Sequence, residues 1–277
     1  MGRGGVLLRF FLRRDESNDG SETFQWTQLL WGADLIERRL VPIYLPRAVF
    51  AGLRVVKRLV FSSRTTATPI DLSGDRDIEW SYIASRLPLG KGRVFDFGCG
   101  AGNTAIHAIQ KGYSVVALDL LPCRLPWSHP NIETIWGDLL TLELPEGQFD
   151  YVLNCSTVEH VGLAGRYGIA EEKTNGDLAA MAKMRKLLKA SGKMLMTIPC
   201  GKDAVIAPWH RVYGRKRLPK LLEQFAVDDQ VFWAKRVDNC WYPVSEQDAL
   251  SYVPTSHRTI ATRCSYALGC FTLRPLE

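Results

Sequence analysis

Arg93-Val-Phe-Asp-Phe-Gly-Cys-Gly-Ala-Gly-Asn-Thr104 decides how the rest of this chain is read. Val94 to Phe97 is a short apolar run, as in a buried strand, and it ends in Gly98-x-Gly100-x-Gly102. A helical periodicity runs from Asn103 to Lys111 and stops at Gly112, where glycine suits a C-terminal cap. Strand, glycine turn and helix in succession form a site for a nucleotide-bearing cofactor. The glycines let the backbone approach the ligand, and the helix N-terminus presents unpaired N–H groups.

The spacing narrows the cofactor. Dinucleotide sites use G-x-G-x-x-G, with a pyrophosphate on the helix N-terminus. Here the glycines alternate, and an acid, Asp96, precedes them inside the strand. This resembles motif I of the class I S-adenosylmethionine-dependent methyltransferases, whose ligand carries no phosphate. The resemblance implies S-adenosyl-L-methionine as cofactor, with Asp96, Gly98, Gly100 and Gly102 at its site.

Outward from that turn the other motifs come in order. Tyr113 to Asp119 is an apolar strand ending in an acid 17 residues after Gly102. At the carboxyl end of a strand in a doubly wound sheet, the Asp119 carboxylate is placed to accept ribose hydroxyls, with Leu120 beside it. Pro122, Pro126 and Pro130 forbid a regular helix between Leu121 and Asn131, so this crossover is expected to be a loop, with Trp127 over the pocket or the sheet face. Ile132 to Trp136 is the third strand. By the resemblance, Asp138 after it reaches the adenine amino group and Leu139 meets the ring. Phe149 to Cys155 is the fourth strand, with Asn154 to Thr157 expected beneath the cofactor. A helix over Asp177 to Ala190, a strand over Lys193 to Pro199, a helix over Arg215 to Phe225 and strands over Val227 to Trp233 and Ser265 to Leu273 complete the pattern. Before motif I, Asp75 to Leu87 reads as a helix, whose Glu79 and Trp80 stand either at the cofactor's methionine end or in the packing. The fold class is therefore α/β: a doubly wound, seven-stranded, mostly parallel, Rossmann-like sheet over residues 71–277.

Residues 1–70 match no motif and read as a basic helical appendage. Residues 1–64 hold eleven Lys and Arg against six Asp and Glu, and no acid occurs from Arg38 to Ile70. The chain's net charge of +6 therefore lies mostly outside the catalytic domain. Over Arg47 to Phe61, Val49, Leu53, Val56 and Val60 fall on one helical face and Arg47, Arg54 and Arg58 on the other. Such a helix either packs on a core or lies on an anionic membrane through residues 38–64. No apolar run reaches the ~20 residues needed to span a bilayer, and Met1 to Arg14 lacks a small-residue cleavage site. The seven cysteines stand singly, which indicates neither a zinc site nor a disulfide framework. A cytoplasmic protein, peripheral at the inner membrane surface if the basic helix binds lipid, is the expectation.

Two stretches carry candidate chemistry. Methyl transfer from a sulfonium needs the acceptor held at contact distance and water excluded, and a hydroxyl acceptor benefits from a base, for which histidine titrates in the right range. Ser156-Thr-Val-Glu-His-Val-Gly-Leu-Ala-Gly-Arg-Tyr-Gly168 follows the fourth strand and resembles a subset of type 11-like methyltransferases with a Glu-His-Val-Gly and Gly-Arg-Tyr-Gly loop. His160 is the candidate base, oriented by Glu159, or else it only shapes the loop. Arg166 and Tyr167 are candidates for an anionic or hydroxyl-rich acceptor. Pro208-Trp-His-Arg-Val-Tyr-Gly214 offers Trp209 and His210 as a second wall, against a packing role for Trp209 and Tyr213. The reading is O-methylation of a small molecule or glycan. Its rivals are a non-catalytic module that binds S-adenosylmethionine or a partner, and a nucleic-acid methyltransferase. The last is disfavoured because the basic patch lies outside the core and Asn154-Cys-Ser-Thr stands where an Asn/Asp-Pro-Pro-aromatic motif would.

Overall fold

The computed structural model describes residues 75–276, except 123–124, 126, 166, 236–239 and 255–265. The basic appendage at 1–70 and its amphipathic helix lie outside the described residues. So does Arg166.

The described residues open with α1 (Arg76–Arg86), then β1 (Arg93–Phe97), α2 (Asn103–Gln110), β2 (Ser114–Asp119), β3 (Ile132–Trp136) and β4 (Phe149–Cys155). A single 3₁₀ turn, Val158–His160, separates β4 from α3 (Gly176–Leu187) and β5 (Leu188–Cys200). A small hairpin, β6 (Ala204–Ile206) and β7 (His210–Val212), precedes α4 (Arg217–Leu221), β8 (Phe225–Lys235), β9 (Trp241–Val244), α5 (Glu246–Ser251) and β10 (Ala267–Pro275). The main sheet runs β3-β2-β1-β4-β5-β10-β8-β9. Its first five strands are parallel, and β10, β8 and β9 add antiparallel pairs.

Period-two alternation sorts the strand residues onto two faces. Val94, Val115, Ala117, Leu153 and Leu195 face α1 and α2, where Ile83, Leu87, Ala105 and Ala108 complete one core. Phe95, Phe97, Val116, Val152, Met194 and Met196 face the other way, against Met181, Met184 and Leu187 of α3 and Leu218 and Leu221 of α4. Each such side chain removed from water contributes about 1.5–3 kcal/mol, so the central strands read as continuous apolar runs. The doubly wound expectation therefore holds. The sheet has eight strands among the described residues rather than seven, because Trp241–Val244 adds an edge to β8.

Two helices are shorter than their periodicity suggests. The expected helix to Ala190 ends at Leu187, because Leu188 already pairs with Phe149 as part of β5. The helix expected over Arg215 to Phe225 shrinks to Arg217–Leu221, since Phe225 pairs with Pro275 at the start of β8. Sheet pairing overrides local propensity in both cases.

Candidate functional site

A cavity of about 820 Å³ opens at the carboxyl ends of β1, β2 and β4, where a doubly wound sheet reverses its strand order. Its wall includes Gly98, Gly100, Asp119, Leu120, Asp138 and Leu139. Arg76, Trp80, Thr157, His160, Tyr167 and Lys173 line it as well.

The glycine turn is pinned to β2. Gly98 N and Cys99 N both donate to Leu118 O, at 2.8 and 3.1 Å. Gly98 has φ +71° and lies against the Thr157 side chain, so it leaves no room for a Cβ. Gly100 has φ +51° and is different, for a Cβ there would meet nothing within 4 Å. Its backbone lies open to the cavity, as a cradle for a ligand requires.

Asp96 is 1% exposed and sits under the turn, outside the cavity lining. Thr104 Oγ1 donates to it from 2.8 Å, which ties β1 to the first turn of α2. Burial pushes the Asp96 carboxyl up to about 7, against the hydrogen bonds from Thr104 and the Ala105 N–H. Gly102 caps α2, enclosed by Leu125 and Trp127, and it too lies outside the lining. Trp127 thus packs on the core side of the helix start rather than over the cavity. Asp119 lines the cavity, and its oxygens accept from Gly100 N at 2.9 Å and Leu121 N at 3.1 Å. Asp138 accepts from Leu140 N at 2.9 Å and stands 4.0 Å from Lys173 Nζ.

Asn154 departs from its expected place beneath a ligand. It is fully buried and outside the cavity lining, and its Oδ1 accepts from Val158 N at 3.1 Å, holding the 3₁₀ turn. The rest of that stretch, Cys155, Ser156 and Thr157, lines the cavity, with Ser156 in a left-handed conformation at φ 47°. The Ser156 hydroxyl donates to Glu79, which also accepts from Thr197 Oγ1 at 2.8 Å and from Arg76 Nη1 at 2.8 Å. Glu79 is fully buried. Burial and neighbouring Asp75 raise its pKa, opposed by Arg76 and the two hydroxyls. Of the pair offered by α1, Trp80 therefore lines the cavity and Glu79 braces the β4 exit.

His160 ends the 3₁₀ turn, at the cavity wall. Its Nδ1 lies 2.5 Å from Trp209 O. A carbonyl only accepts, so Nδ1 carries the proton and a neutral ring has its lone pair on Nε2. The orienting contact expected from Glu159 is thus made by a backbone carbonyl, while Glu159 Oε1 stands 3.8 Å from Nε2. Glu159 is 1% exposed, and burial pushes its carboxyl up to about 8, helped by Glu79 and Asp75 and opposed by its own backbone N–H and by Arg76. Tyr167 lines the cavity with its ring centroid 5.9 Å from that of His160.

The 208–214 stretch is divided by its hairpin. Trp209 is 54% exposed and His210 stacks edge-on with Tyr266, at 5.1 Å between centroids; neither side chain lines the cavity. Tyr213 is fully buried and donates to Asp177 Oδ2 at 3.2 Å. Arg211, which the sequence reading left among the recognition residues, is buried and reaches the His160 turn from below. Sequence reasoning missed Arg76 as a cavity residue and the bracing roles of Glu79 and Arg211. An i, i+3 Arg–Glu pair in α1 was the only visible signal. Among the described residues, no group of His, Cys, Asp and Glu is placed to hold a metal ion.

Comparison with known proteins adds to this geometry. Residues 94–173 match a family profile described as a methyltransferase domain, and residues 141–234 one described as a Caenorhabditis protein of unknown function, DUF268. The magnesium-protoporphyrin O-methyltransferase of Rhodobacter capsulatus is 35% identical over 88 residues, 28% of this chain and 38% of that protein. The S-adenosyl-L-methionine-dependent Diels-Alderase iliD of Neonectria sp. (strain DH2) is 27% identical over 135 residues, 48% of this chain and 50% of that protein. The chain therefore spans half or less of these relatives' length. Among solved structures, a Burkholderia thailandensis 1,6-didemethyltoxoflavin-N1-methyltransferase with bound S-adenosylhomocysteine has a TM-score of 0.49 and 15% identity, covering 85% of this chain and 92% of that one. The sheet order is that of the class I methyltransferase fold, and residues 94–173, which supply the glycine turn and most of the cavity wall, are similar to a methyltransferase domain, a family whose cofactor is S-adenosylmethionine.

Proposed function

We propose that the protein is an O-methyltransferase acting on a hydroxyl of a small molecule or glycan, with His160 as general base. The observation that carries this reading is His160 itself. It stands in the wall of the same cavity as Gly98, Gly100 and Asp119, with Nδ1 committed to Trp209 O. Proton transfer to a placed imidazole contributes about 10²–10⁴ in rate.

The residues present fit S-adenosylmethionine. The open Gly100 backbone and the Asp119 carboxylate suit the nucleoside end, with lone pairs left on Asp119 for ribose hydroxyls after its two backbone contacts. Asp138 and Leu139 suit the adenine. Arg76 lines the cavity with 45% of its side chain exposed, and suits the methionine carboxylate. Asp96 and Asn154 act one step behind, fixing the glycine turn and the His160 turn. When bound, the cofactor supplies a methyl group on a sulfonium. His160 Nε2 takes the proton of the acceptor hydroxyl while Tyr167 and the 162–173 loop exclude water. We place Trp209 and His210 around the acceptor's entrance, where exposed Trp209 offers a ring face, and keep Arg166, from its motif alone, as a candidate for an anionic acceptor.

His160→Ala tests the assignment on one identified acceptor found with labelled methyl donor. Cofactor affinity should stay nearly intact while turnover falls by roughly 10²–10⁴, with loss of a histidine-like rise in rate with pH. A carboxylate acceptor is already ionised, so near-parental turnover on one would leave the base without a task. The same result on a hydroxyl acceptor would sink the assignment. The iliD relative motivates a second reading, a cofactor-bound protein that transfers no methyl group. Binding of S-adenosylmethionine without transfer to any acceptor in the screen would favour it.

A further inference from the structure

Trp209 and Arg211 stand two residues apart on the hairpin and reach the same short turn by different chemistry. Trp209 gives its carbonyl to the His160 ring. Arg211 Nη1 donates to Val161 O at 2.6 Å and to Glu159 O at 3.4 Å, the carbonyls on either side of His160. Its Nη2 donates to Lys173 O and Thr174 O, each at 3.4 Å. One guanidinium therefore spans both ends of the 162–173 loop. Lys173 N also donates to Gly162 O at 2.8 Å, which closes the loop at its neck. From beyond that neck Tyr167 and Ile169 reach the cavity wall.

The charge of Arg211 is not matched by a carboxylate of its own. Its side chain is 2% exposed, and the nearest carboxylate in contact, Asp177, stands 3.9 Å from Nε. Asp177 is already gripped by Arg217, at 2.5 and 2.8 Å. Burying a guanidinium is costly, and charge-assisted hydrogen bonds to carbonyls offset that cost only if their geometry is held. A side chain needed for packing alone would carry no charge here. We infer that Arg211 is a positioning residue, which fixes the main chain on both sides of His160 and so sets where the imidazole stands relative to the glycine turn. The inference rests on the reading of His160 as a working residue of the acceptor wall. Lysine does not replace it, since a single ammonium lacks the planar fork that reaches carbonyls in two directions.

The test uses the full chain saturated with S-adenosylhomocysteine. The variants are Arg211→Gln, Arg211→Lys and, as a control on the same buried network, Arg217→Gln. Two quantities are read: the His160 imidazole titration by NMR, and hydrogen exchange over residues 159–174. Arg211→Gln should speed exchange in that segment by roughly tenfold or more, and move the His160 midpoint by about half a pH unit or more, since the ring's surroundings change with the main chain that carries it. Arg217→Gln leaves the carbonyl contacts of Arg211 in place and should leave the His160 titration unchanged. Should Arg211→Gln fail to fold, Arg211→Lys keeps the buried charge and carries the same two readouts. An unchanged His160 midpoint in a folded Arg211 variant overturns the inference. So does an equal shift in Arg217→Gln, which would make Arg211 one member of a general scaffold. Neither readout requires turnover, so a failed base assignment for His160 and a failed positioning role for Arg211 give different results.

Discussion

Replacing Gly98 by alanine tests the geometry of the cofactor turn most directly. The backbone there has φ +71°, and Gly98 N is tied to Leu118 O at 2.8 Å, so the turn cannot rotate away without losing β2. A side chain held in the left-handed region costs about 1–2 kcal/mol. The new Cβ would also overlap Thr157 Cγ2 and Oγ1 and lie 2.8 Å from Thr157 Cβ, and overpacking of this kind costs about 1–3 kcal/mol. The sum, roughly 2–5 kcal/mol, is divided between lost stability and lost affinity, because Thr157 belongs to the cavity wall. Thr157→Ala in the same chain removes both overlapping atoms and should restore about 1–2 kcal/mol, leaving the backbone part uncorrected. Urea unfolding and calorimetric titration with S-adenosylhomocysteine on the two single variants, the double variant and the parent measure the coupling. A coupling energy within about 0.5 kcal/mol of zero would refute the close approach of Gly98 to Thr157.

Asp119→Ala should weaken S-adenosylhomocysteine binding by roughly 1–3 kcal/mol, through lost charge-assisted hydrogen bonds; unchanged affinity by calorimetry removes Asp119 from the site. Glu159 has a folded pKa of about 8, raised by burial above the unfolded value, so its contribution to stability is fully present below the unfolded pKa of about 4.3 and is lost as pH rises toward 8. Glu159→Gln should therefore flatten the fall of stability with pH across that window, and parallel urea-midpoint profiles for variant and parent would show that Glu159 titrates normally. If residues 38–64 form a membrane-binding helix, the protein should sediment with anionic vesicles at low salt and release as salt rises, and a chain lacking residues 1–64 should not. Absence of sedimentation at low salt leaves the packed-helix reading.

Much of the fold was legible because the inner strands are buried on both faces. Val115–Leu118 reads as an unbroken apolar run and Val94–Phe97 as one interrupted only by Asp96, which is what burial between two helical layers demands. Trp241–Val244 was not legible, since an edge strand of three half-buried residues interrupted by exposed Pro243 has no periodicity to detect. The three-residue strands of the 204–212 hairpin are shorter still. In the site, motif order located Asp119, Asp138 and His160 at the cavity. It did not distinguish side chains that line the cavity from side chains that hold the lining. Asp96 and Asn154 precede cavity residues in sequence, yet both turn inward, Asp96 to accept from the Thr104 hydroxyl and Asn154 from Val158 N. Arg211 fell among exposed-looking aromatic and basic neighbours, and its burial depends on carbonyls that lie 37 to 52 residues earlier in the chain. A charged side chain that is satisfied by distant main chain leaves no local trace in a sequence.

The place of β10 imposes an order on assembly during synthesis. It is the last strand described, yet it lies between β5 and β8, and without it β8 and β9 have no sheet to join. Until residue 275 is available, the buried stretch of β5 from Met194 to Cys200 has a bare edge on that side. Translation proceeds at about 5–20 residues per second, so the span from 201 to 275 keeps that edge open on the order of 4–15 s. An open apolar edge is a template for wrong pairing in that interval. The strands that carry Gly98, Asp119 and Asp138 all precede residue 140 and need none of this. The hairpin that supplies Trp209 O and Arg211 hangs from the end of β5, where Tyr213 N donates to Pro199 O at 3.0 Å. In a nascent chain, the glycine-turn wall of the cavity is therefore synthesised well before the hairpin behind His160 has a finished sheet to rest on.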